Sequence, residues 1–423
     1  MTDAGERAAP AASVARSIAP FLGGRAAAWI AFVLVHAWLV WLNLTAPGQP
    51  LGDVTGVYRV WAENAANDWL RMGIDAPWVY PILAFVPMAA SLAFGSAWYA
   101  QTWLVIVTLL NAVAFAVLLG AARFSRPRRT AAWWWLGFLI LLGPIALGRI
   151  DAVTVPIAIL GLLMAAGRPR VAAVLLTVGA WVKVWPAALV AALVIASRRR
   201  AEVVGIAAAL SIGILGVSLL AGSGLNAFGF IEEQAGRGLQ VEAPLAAVWL
   251  WQIVAGVPGV RVVYSQDILT FQIDGPGADA AAALTTPAMA IGVLAVVLLG
   301  VRAVRRGAAF VRVLPPLALS FVVVLMLANK VGSPQFIAWL AAPVILGLVY
   351  RPRRFAVPAA LAASIALCTQ LIYPYWYGWL LAANPAFVLL LTAKVVLLVA
   401  LLAWGVAALW QAGVRRDSAP RTG

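Results

Sequence analysis

The chain has 423 residues, of which 64% are apolar and only 11% are charged. Soluble domains carry about 25% charged residues, so this composition excludes a soluble globular protein. The formal net charge of +15 does not indicate nucleic-acid binding, because the arginines lie between apolar runs, where they mark membrane topology. The single cysteine, Cys368, excludes an internal disulfide framework.

The apolar runs are continuous, and only helices or closed barrels satisfy their backbone groups in lipid. We therefore predict an all-α polytopic membrane protein with about twelve crossings and both termini in the cytoplasm. The stretch before Arg25 has no apolar core and no cleavage pattern, so the first span is not a removable signal. The predicted spans are Ala26–Leu44, Trp98–Gly120, Ala132–Leu147, Ala152–Ala166, Val171–Val182, Trp185–Ser197, Val203–Ala221, Thr286–Val301, Ala308–Leu327, Phe336–Tyr350, Phe355–Ile372 and Pro385–Trp410.

The two faces of the predicted membrane domain differ in the sign of their charged residues. Basic clusters mark the cytoplasmic face under the positive-inside rule, and nearly all carboxylates fall in the segments between them. We predict one membrane domain over residues 25–411, between cytoplasmic tails at 1–24 and 412–423, with outer loops at 46–96 and 222–285. The basic clusters are Arg123 to Arg129, Arg168 with Arg170, Arg198 to Arg200, Arg302 with Arg305 and Arg306, Arg351 with Arg353 and Arg354, and Arg415 with Arg416.

Several segments of the outer face are predicted to have structure of their own. Apolar residues in the first outer loop, Val57, Val60, Trp61, Ala65 and Trp69, form one stripe of a helix expected to lie flat on the membrane. Two apolar stretches, Tyr80–Phe94 and Pro244–Val254, are interpreted as interfacial helices. Val260–Ile273 is predicted to form a β-hairpin. The segment Val171–Ser197 has basic clusters on both sides, so it must cross and return, which places Lys183 at an outward-facing turn.

A series of short motifs follows this layout along the chain. It includes Gly52-Asp53 before a helix with Tyr58, Tyr80-Pro81, Gly148-Arg149-Ile150-Asp151, Gly179 to Pro186 with Lys183, Gly236-Arg237 to Gln240 and Glu242, and Ser333-Pro334-Gln335. This order resembles glycosyltransferase family 87, the polyprenyl-phosphate-mannose-dependent membrane enzymes of actinobacteria in the GT-C superfamily. The resemblance extends from about Ala26 to Tyr350. An asparagine often stands in the family at the position of Asp151, so this chain departs from the pattern there.

The resemblance implies an inverting hexosyltransferase with an outward-facing active-site cavity in the plasma membrane. Its expected partners are a polyprenyl-phosphate sugar donor, a glycolipid or polysaccharide acceptor of the cell envelope, and the lipid bilayer. Mannose is the favoured sugar, and arabinofuranose transfer is the alternative within the same family. No nucleic-acid partner is expected.

Asp53 is the predicted catalytic residue, because inverting transfer needs a carboxylate to take the proton of the acceptor hydroxyl. The alternative is that Asp53 only caps the N-terminus of the loop helix. Lys183 is predicted to stabilise the leaving phosphate, with Lys330 as a second candidate, and the alternative is a lysine that snorkels into lipid headgroups.

The other predicted substrate-binding residues have alternatives too. Arg149 and Asp151 could form a surface ion pair, and Arg237, Gln240 and Glu242 could belong to a solvated loop. Tyr58, Tyr80 and Gln335 complete the predicted set. Most of the twenty tryptophans are interpreted as interfacial anchors.

No phosphate-binding loop and no metal-ligand spacing is present, so we predict no cofactor and no metal, although two carboxylates can bridge a divalent ion. Two other classes of protein fit a chain with many spans. A transporter or flippase would place ionisable groups near the bilayer midplane, where only Lys394 lies well inside a predicted span. A non-catalytic envelope subunit would tolerate loss of Asp53.

Overall fold

The computed structural model of this protein describes residues 24–120, 125–235, 237–266 and 268–414. Most of both predicted cytoplasmic tails lies outside these ranges, and so do Arg123, Gly236 and Asp267. Within them the chain is mainly helical. The helices are α1 (Arg25–Thr45), α2 (Arg59–Ala66), α3 (Phe85–Ala90), α4 (Tyr99–Leu119), α5 (Arg126–Leu142), α6 (Asp151–Met164), α7 (Pro169–Val182), α8 (Pro186–Ala196), α9 (Arg200–Leu220), α10 (Gly229–Ala235), α11 (Ala246–Val254), α12 (Ala278–Arg305), α13 (Phe310–Leu327), α14 (Ala341–Tyr350), α15 (Pro352–Ile372), α16 (Tyr377–Leu381) and α17 (Pro385–Ala412).

Eight helical segments among the described residues are long and apolar enough to cross a membrane. They confirm a multi-pass membrane protein, and each overlaps a predicted span. The eight are Arg25–Thr45, Ser96–Leu119, Arg126–Ala146, Arg200–Leu220, Ala278–Arg305, Phe310–Leu327, Pro352–Ile372 and Pro385–Ala412.

Four shorter apolar helices coincide with the other four predicted spans: Asp151–Met164, Pro169–Val182, Pro186–Ala196 and Pro334–Tyr350. At about 1.5 Å per residue, the eleven residues of α8 cover about half of a ~30 Å hydrocarbon core. The total of twelve crossings therefore stays a prediction.

The short helices pack in the interior of the protein. Helix α6 contacts α4, α7 and α14, and most of its residues are buried. Helices α9 and α12 bury few of their residues, so their apolar side chains face outward, as expected where lipid is the solvent. Proline opens several helices, including α7, α8, α15 and α17, because the first helical position needs no N–H donor.

The predicted β-hairpin is confirmed and adds a small sheet to the otherwise helical fold. Strand β1 (Arg261–Ser265) pairs antiparallel with β2 (Thr270–Asp274), with Val263 opposite Gln272. The segment before α11 joins the other edge of β2, because Val241 N–H donates to the Phe271 carbonyl and Ile273 N–H donates to the Leu239 carbonyl. The hairpin is thereby fixed to residues 239–241.

The helix of the first outer loop differs from its prediction. A π-helical turn, Val54–Tyr58, leads directly into α2, which ends before Trp69, a residue that is 76% exposed. The buried face consists of Val54, Tyr58 and Ala62, four residues apart, whereas Val60 of the predicted stripe is exposed. The predicted stripe was wrong because the helix packs on protein: the Tyr58 ring lies 5.5 Å from that of Trp103 on α4.

The two predicted interfacial stretches form short helices. The first contains the 3-10 turn Ile82–Ala84 and α3, and the second contains α11. Neither is long enough to span a bilayer. Their placement at the membrane interface stays a prediction.

Candidate active site

A cavity of about 550 Å³ gathers most of the predicted site residues from distant parts of the chain. Asp151 and Lys330 do not line it and lie buried behind its walls. Aromatic side chains make up much of the remaining lining. The predicted residues that line the cavity are Asp53, Tyr58, Tyr80, Arg149, Lys183, Arg237, Gln240, Glu242 and Gln335.

Asp53 forms an ion pair with Arg149. Arg149 Nε lies 3.0 Å from Asp53 Oδ2, and the Asp53 side chain is 41% exposed whereas that of Arg149 is 8% exposed. Asp53 precedes the π-helical turn but makes no capping hydrogen bond, so the capping interpretation was wrong. This contact between Arg149 and Asp53 is made by one oxygen of the carboxylate, Oδ2.

Arg149 is held by neutral oxygens as well as by Asp53. Its Nη1 donates to the carbonyls of Pro50 and Gly148 at 2.6 and 2.7 Å, and its Nη2 donates to the Tyr373 hydroxyl at 2.6 Å. A Cβ at Gly148 would lie 2.6 Å from the Pro50 carbonyl oxygen, so the close approach requires glycine. Arg149 therefore presents a fixed positive charge to Asp53.

The predicted surface ion pair between Arg149 and Asp151 was wrong. Arg149 and Asp151 are both buried, and each pairs with a partner from another part of the chain. Because Arg149 and Asp151 are two residues apart at the start of a helix, their side chains point to different sides.

Asp151, which lies behind the cavity wall, pairs with Lys183, which lines the cavity. Lys183 Nζ lies 2.9 Å from Asp151 Oδ2, and Trp339 Nε1 donates to Asp151 Oδ1 at 2.6 Å. The side chain of Asp151 is 1% exposed and that of Lys183 is 15% exposed. Both carboxylate oxygens of Asp151 are thus occupied, and the positive charge of Lys183 is compensated.

Aromatic rings surround the ammonium of Lys183. It lies 5.4 Å from the centre of the Tyr80 ring and 5.3 Å from that of Phe336. The next aromatic residue, Trp185, donates to Thr154 Oγ1 and stacks on Trp339 at 5.2 Å. Lys183 therefore points into the protein, and the snorkelling interpretation was wrong.

A second wall consists of residues 237–243 and 330–335. Gln240 N–H donates to the Lys330 carbonyl at 2.9 Å. A Cβ at Gly332 would lie 2.0 Å from the carbonyl carbon of Glu242, so only glycine allows the two segments to pack this closely. Gln240 and Glu242 are 6% and 5% exposed, and the solvated-loop interpretation was wrong for both.

Charged groups of the second wall are partly withdrawn from solvent. Glu242 Oε2 lies 3.3 Å from Lys394 Nζ, so the lysine inside α17 is a paired lysine. Burial lowers the pKa of Arg237. Burial and the nearby charge of Arg237 lower the pKa of Lys330.

Tyr58 and Tyr80 connect the loop helix to the cavity. Their hydroxyl oxygens are 3.3 Å apart, and Ile150 N–H donates to the Tyr58 hydroxyl. The rings of Trp61 and Trp78 pack around Tyr80. Aromatic faces of this kind offer surfaces on which the apolar face of a sugar ring can lie.

Tyr373 lines the cavity but was not among the residues predicted from the sequence. It follows α15 at the start of the aromatic run Tyr373-Pro374-Tyr375-Trp376-Tyr377, and both Tyr373 and Tyr377 line the cavity. A run of aromatic residues with proline directly after a span was the available signal. Nothing in the run itself connects Tyr373 with Arg149, which is 224 residues away.

We expect Tyr373→Phe to lower turnover by about 10- to 100-fold with little change in KM for either substrate. The substitution removes one hydrogen bond to a charged group, worth about 1.5–3 kcal/mol, and loosens the orientation of Arg149 against Asp53. Steady-state kinetics of the purified enzyme measure this. The control is Tyr375→Phe, outside the cavity lining. Unchanged turnover in Tyr373→Phe would show that the Tyr373 hydroxyl is not needed to orient Arg149.

No group of three or more His, Cys, Asp or Glu side chains that could hold a metal ion occurs among the residues that the structure describes.

Fold and cavity together define a polytopic membrane protein whose polar, aromatic-lined cavity carries an exposed carboxylate paired with a buried arginine. The model of glycosyltransferase family 87 matches residues 78–261. This match confirms the resemblance seen in the motifs: over residues 78–261 the chain is similar to glycosyltransferase family 87. Comparisons with curated proteins and with solved structures gave no match.

The matched part carries seven of the predicted site residues, whereas Asp53, Tyr58, Lys330 and Gln335 lie outside it. The seven are Tyr80, Arg149, Asp151, Lys183, Arg237, Gln240 and Glu242.

Proposed function

We propose that this protein is an inverting glycosyltransferase that moves a hexose, with mannose favoured, from a polyprenyl phosphate to a glycolipid or polysaccharide acceptor of the cell envelope. The observation that carries the proposal is the half-exposed Asp53 carboxylate held by buried Arg149 on the wall of the cavity. Inverting transfer requires a carboxylate of this kind, fixed in direction and open to substrate.

In the proposed reaction the acceptor hydroxyl attacks the anomeric carbon of the donor sugar. A new carbon–oxygen bond forms on one face of the sugar while the bond between the anomeric carbon and the phosphate oxygen breaks on the other. The proton of the hydroxyl passes to Asp53 Oδ1, and the bonding electron pair leaves with the phosphate. The products are the glycosylated acceptor and polyprenyl phosphate.

The other cavity residues position the substrates in this proposal. Arg149 orients Asp53, and Tyr58, Tyr80 and Trp61 offer surfaces to the sugar. Lys183 is fixed by Asp151 and extends its ammonium toward the cavity, where it can donate to sugar hydroxyls or to the phosphate. Gln240, Glu242 and Gln335 complete the polar lining.

Transfer of radiolabelled mannose from polyprenyl phosphate mannose to endogenous glycolipid tests the proposed function. Membranes from cells that express the protein should transfer the label, and membranes from cells that lack the gene should not. Equal transfer by both membranes would contradict the proposal. Mass analysis of glycolipids from the two strains then identifies the acceptor. A parallel assay with polyprenyl phosphate arabinofuranose shows which of the two sugars the protein transfers.

We further propose that the cavity opens on the extracytoplasmic side of the plasma membrane, with both termini and residues 123–129 in the cytoplasm. The basic clusters support this orientation. In a Cys368→Ser background, a cysteine placed at Ser125 should resist an impermeant thiol reagent in intact cells. Asn67→Cys, in the first outer loop, should react under the same conditions. Reaction at Ser125→Cys in intact cells would reverse the topology and the side on which the reaction occurs.

A further inference from the structure

The cations of the cavity fall into two groups. Arg149 is paired with Asp53, and Lys183 is paired with the buried Asp151. Each of these positive charges already faces a carboxylate within hydrogen-bonding distance. An anionic ligand therefore gains less from them than from a cation whose donors are unused.

Arg237 has an unused donor. It lines the cavity, and its Nε is buried without a hydrogen-bond partner among the residues that the structure describes. A buried donor without a partner is destabilising, especially in a charged group, unless a ligand accepts its hydrogen bond. The guanidinium is therefore ready to bind an anion.

The backbone that follows Arg237 is fixed to the small sheet. Leu239 and Val241 are both hydrogen-bonded to β2.

We propose that Arg237 binds the phosphate group of the polyprenyl-phosphate donor. This inference rests on the proposed function and changes the sequence prediction that Lys183 is the main phosphate ligand. As the bond to the anomeric carbon breaks, the phosphate gains one negative charge, and a guanidinium fixed beside it stabilises that charge. Lys183 then contacts the sugar side of the donor.

Binding of the leaving lipid to purified protein tests the assignment without requiring turnover. The ligands are a short-chain polyprenyl phosphate and the polyprenol with the same tail, which lacks the phosphate. Arg237→Gln should weaken binding of the phosphate by about 10- to 100-fold and leave polyprenol binding unchanged. Arg237→Lys should recover part of the affinity, because the charge is kept while the planar donor pair is lost. The matched control is Arg261→Gln, on β1, whose side chain is 74% exposed.

The outcomes are distinguishable. Equal binding of polyprenyl phosphate by wild type and Arg237→Gln would overturn this inference and leave the transferase proposal standing. Equal loss of polyprenol and polyprenyl phosphate would also overturn it, because Arg237 would then only support the wall. If Arg237→Gln instead raises KM only for a phosphate-bearing acceptor, the site binds the acceptor and the donor assignment is wrong. Failure of the wild-type protein to bind polyprenyl phosphate would contradict the proposed function itself.

Discussion

Asp53→Asn is expected to lower turnover by about 10²–10⁴-fold, the range that a general base contributes. Asparagine has the same shape and keeps an oxygen that can accept from Arg149 Nε, so the wall of the cavity should not move. The amide cannot accept the proton of the acceptor hydroxyl at neutral pH. Because Asp53 makes no capping hydrogen bond, loss of helix stability cannot explain a fall of this size.

Label transfer by purified Asp53→Asn protein, with thermal unfolding in detergent as the check on folding, measures this effect. Asp68→Asn is the matched control, because Asp68 belongs to the same outer loop and is exposed. Retention of more than about a tenth of wild-type turnover would rule out Asp53 as the base. Donor binding should be nearly unchanged, because the proposed proton transfer belongs to the chemical step.

Lys183→Ala is expected to destabilise the protein by about 3–5 kcal/mol, because it leaves the buried carboxylate of Asp151 without its partner. Loss of activity in this single variant therefore does not show that Lys183 contacts the phosphate. The double variant Lys183→Ala/Asp151→Asn removes both charges and keeps an acceptor for Trp339 Nε1. It should unfold close to the wild-type temperature.

Activity of the double variant separates the two roles of Lys183. If Arg237 is the main phosphate ligand, turnover should return to within about tenfold of wild type, the cost of one ordinary hydrogen bond to substrate. If the ammonium of Lys183 stabilises the leaving phosphate, turnover should stay about 10²–10³-fold low although the protein is folded. Thermal unfolding and kinetics of Lys183→Ala, of Asp151→Asn and of the double variant complete a double-mutant cycle.

The sequence by itself determined that lipid surrounds most of the protein and that the fold is helical, and it predicted nine of the residues that line the cavity. Long apolar runs with arginines between them permit few arrangements other than a bundle of membrane helices, because lipid forces backbone hydrogen bonds to be local. Asp53, Arg149, Lys183 and Glu242 were recognisable without a structure, because they stand in the short motifs that resemble family 87 and because inverting transfer needs a carboxylate.

Only the tertiary structure decided which of these residues are partners. Asp53 and Arg149 are 96 residues apart, and Lys394 and Glu242 are 152 residues apart, so no local pattern connects them. The structure likewise brought Tyr373 to Arg149 and buried Val54, Tyr58 and Ala62 in place of the predicted stripe. The physical reason is that spacing along a helix fixes which residues share a face, whereas the choice of partner depends on how distant helices pack.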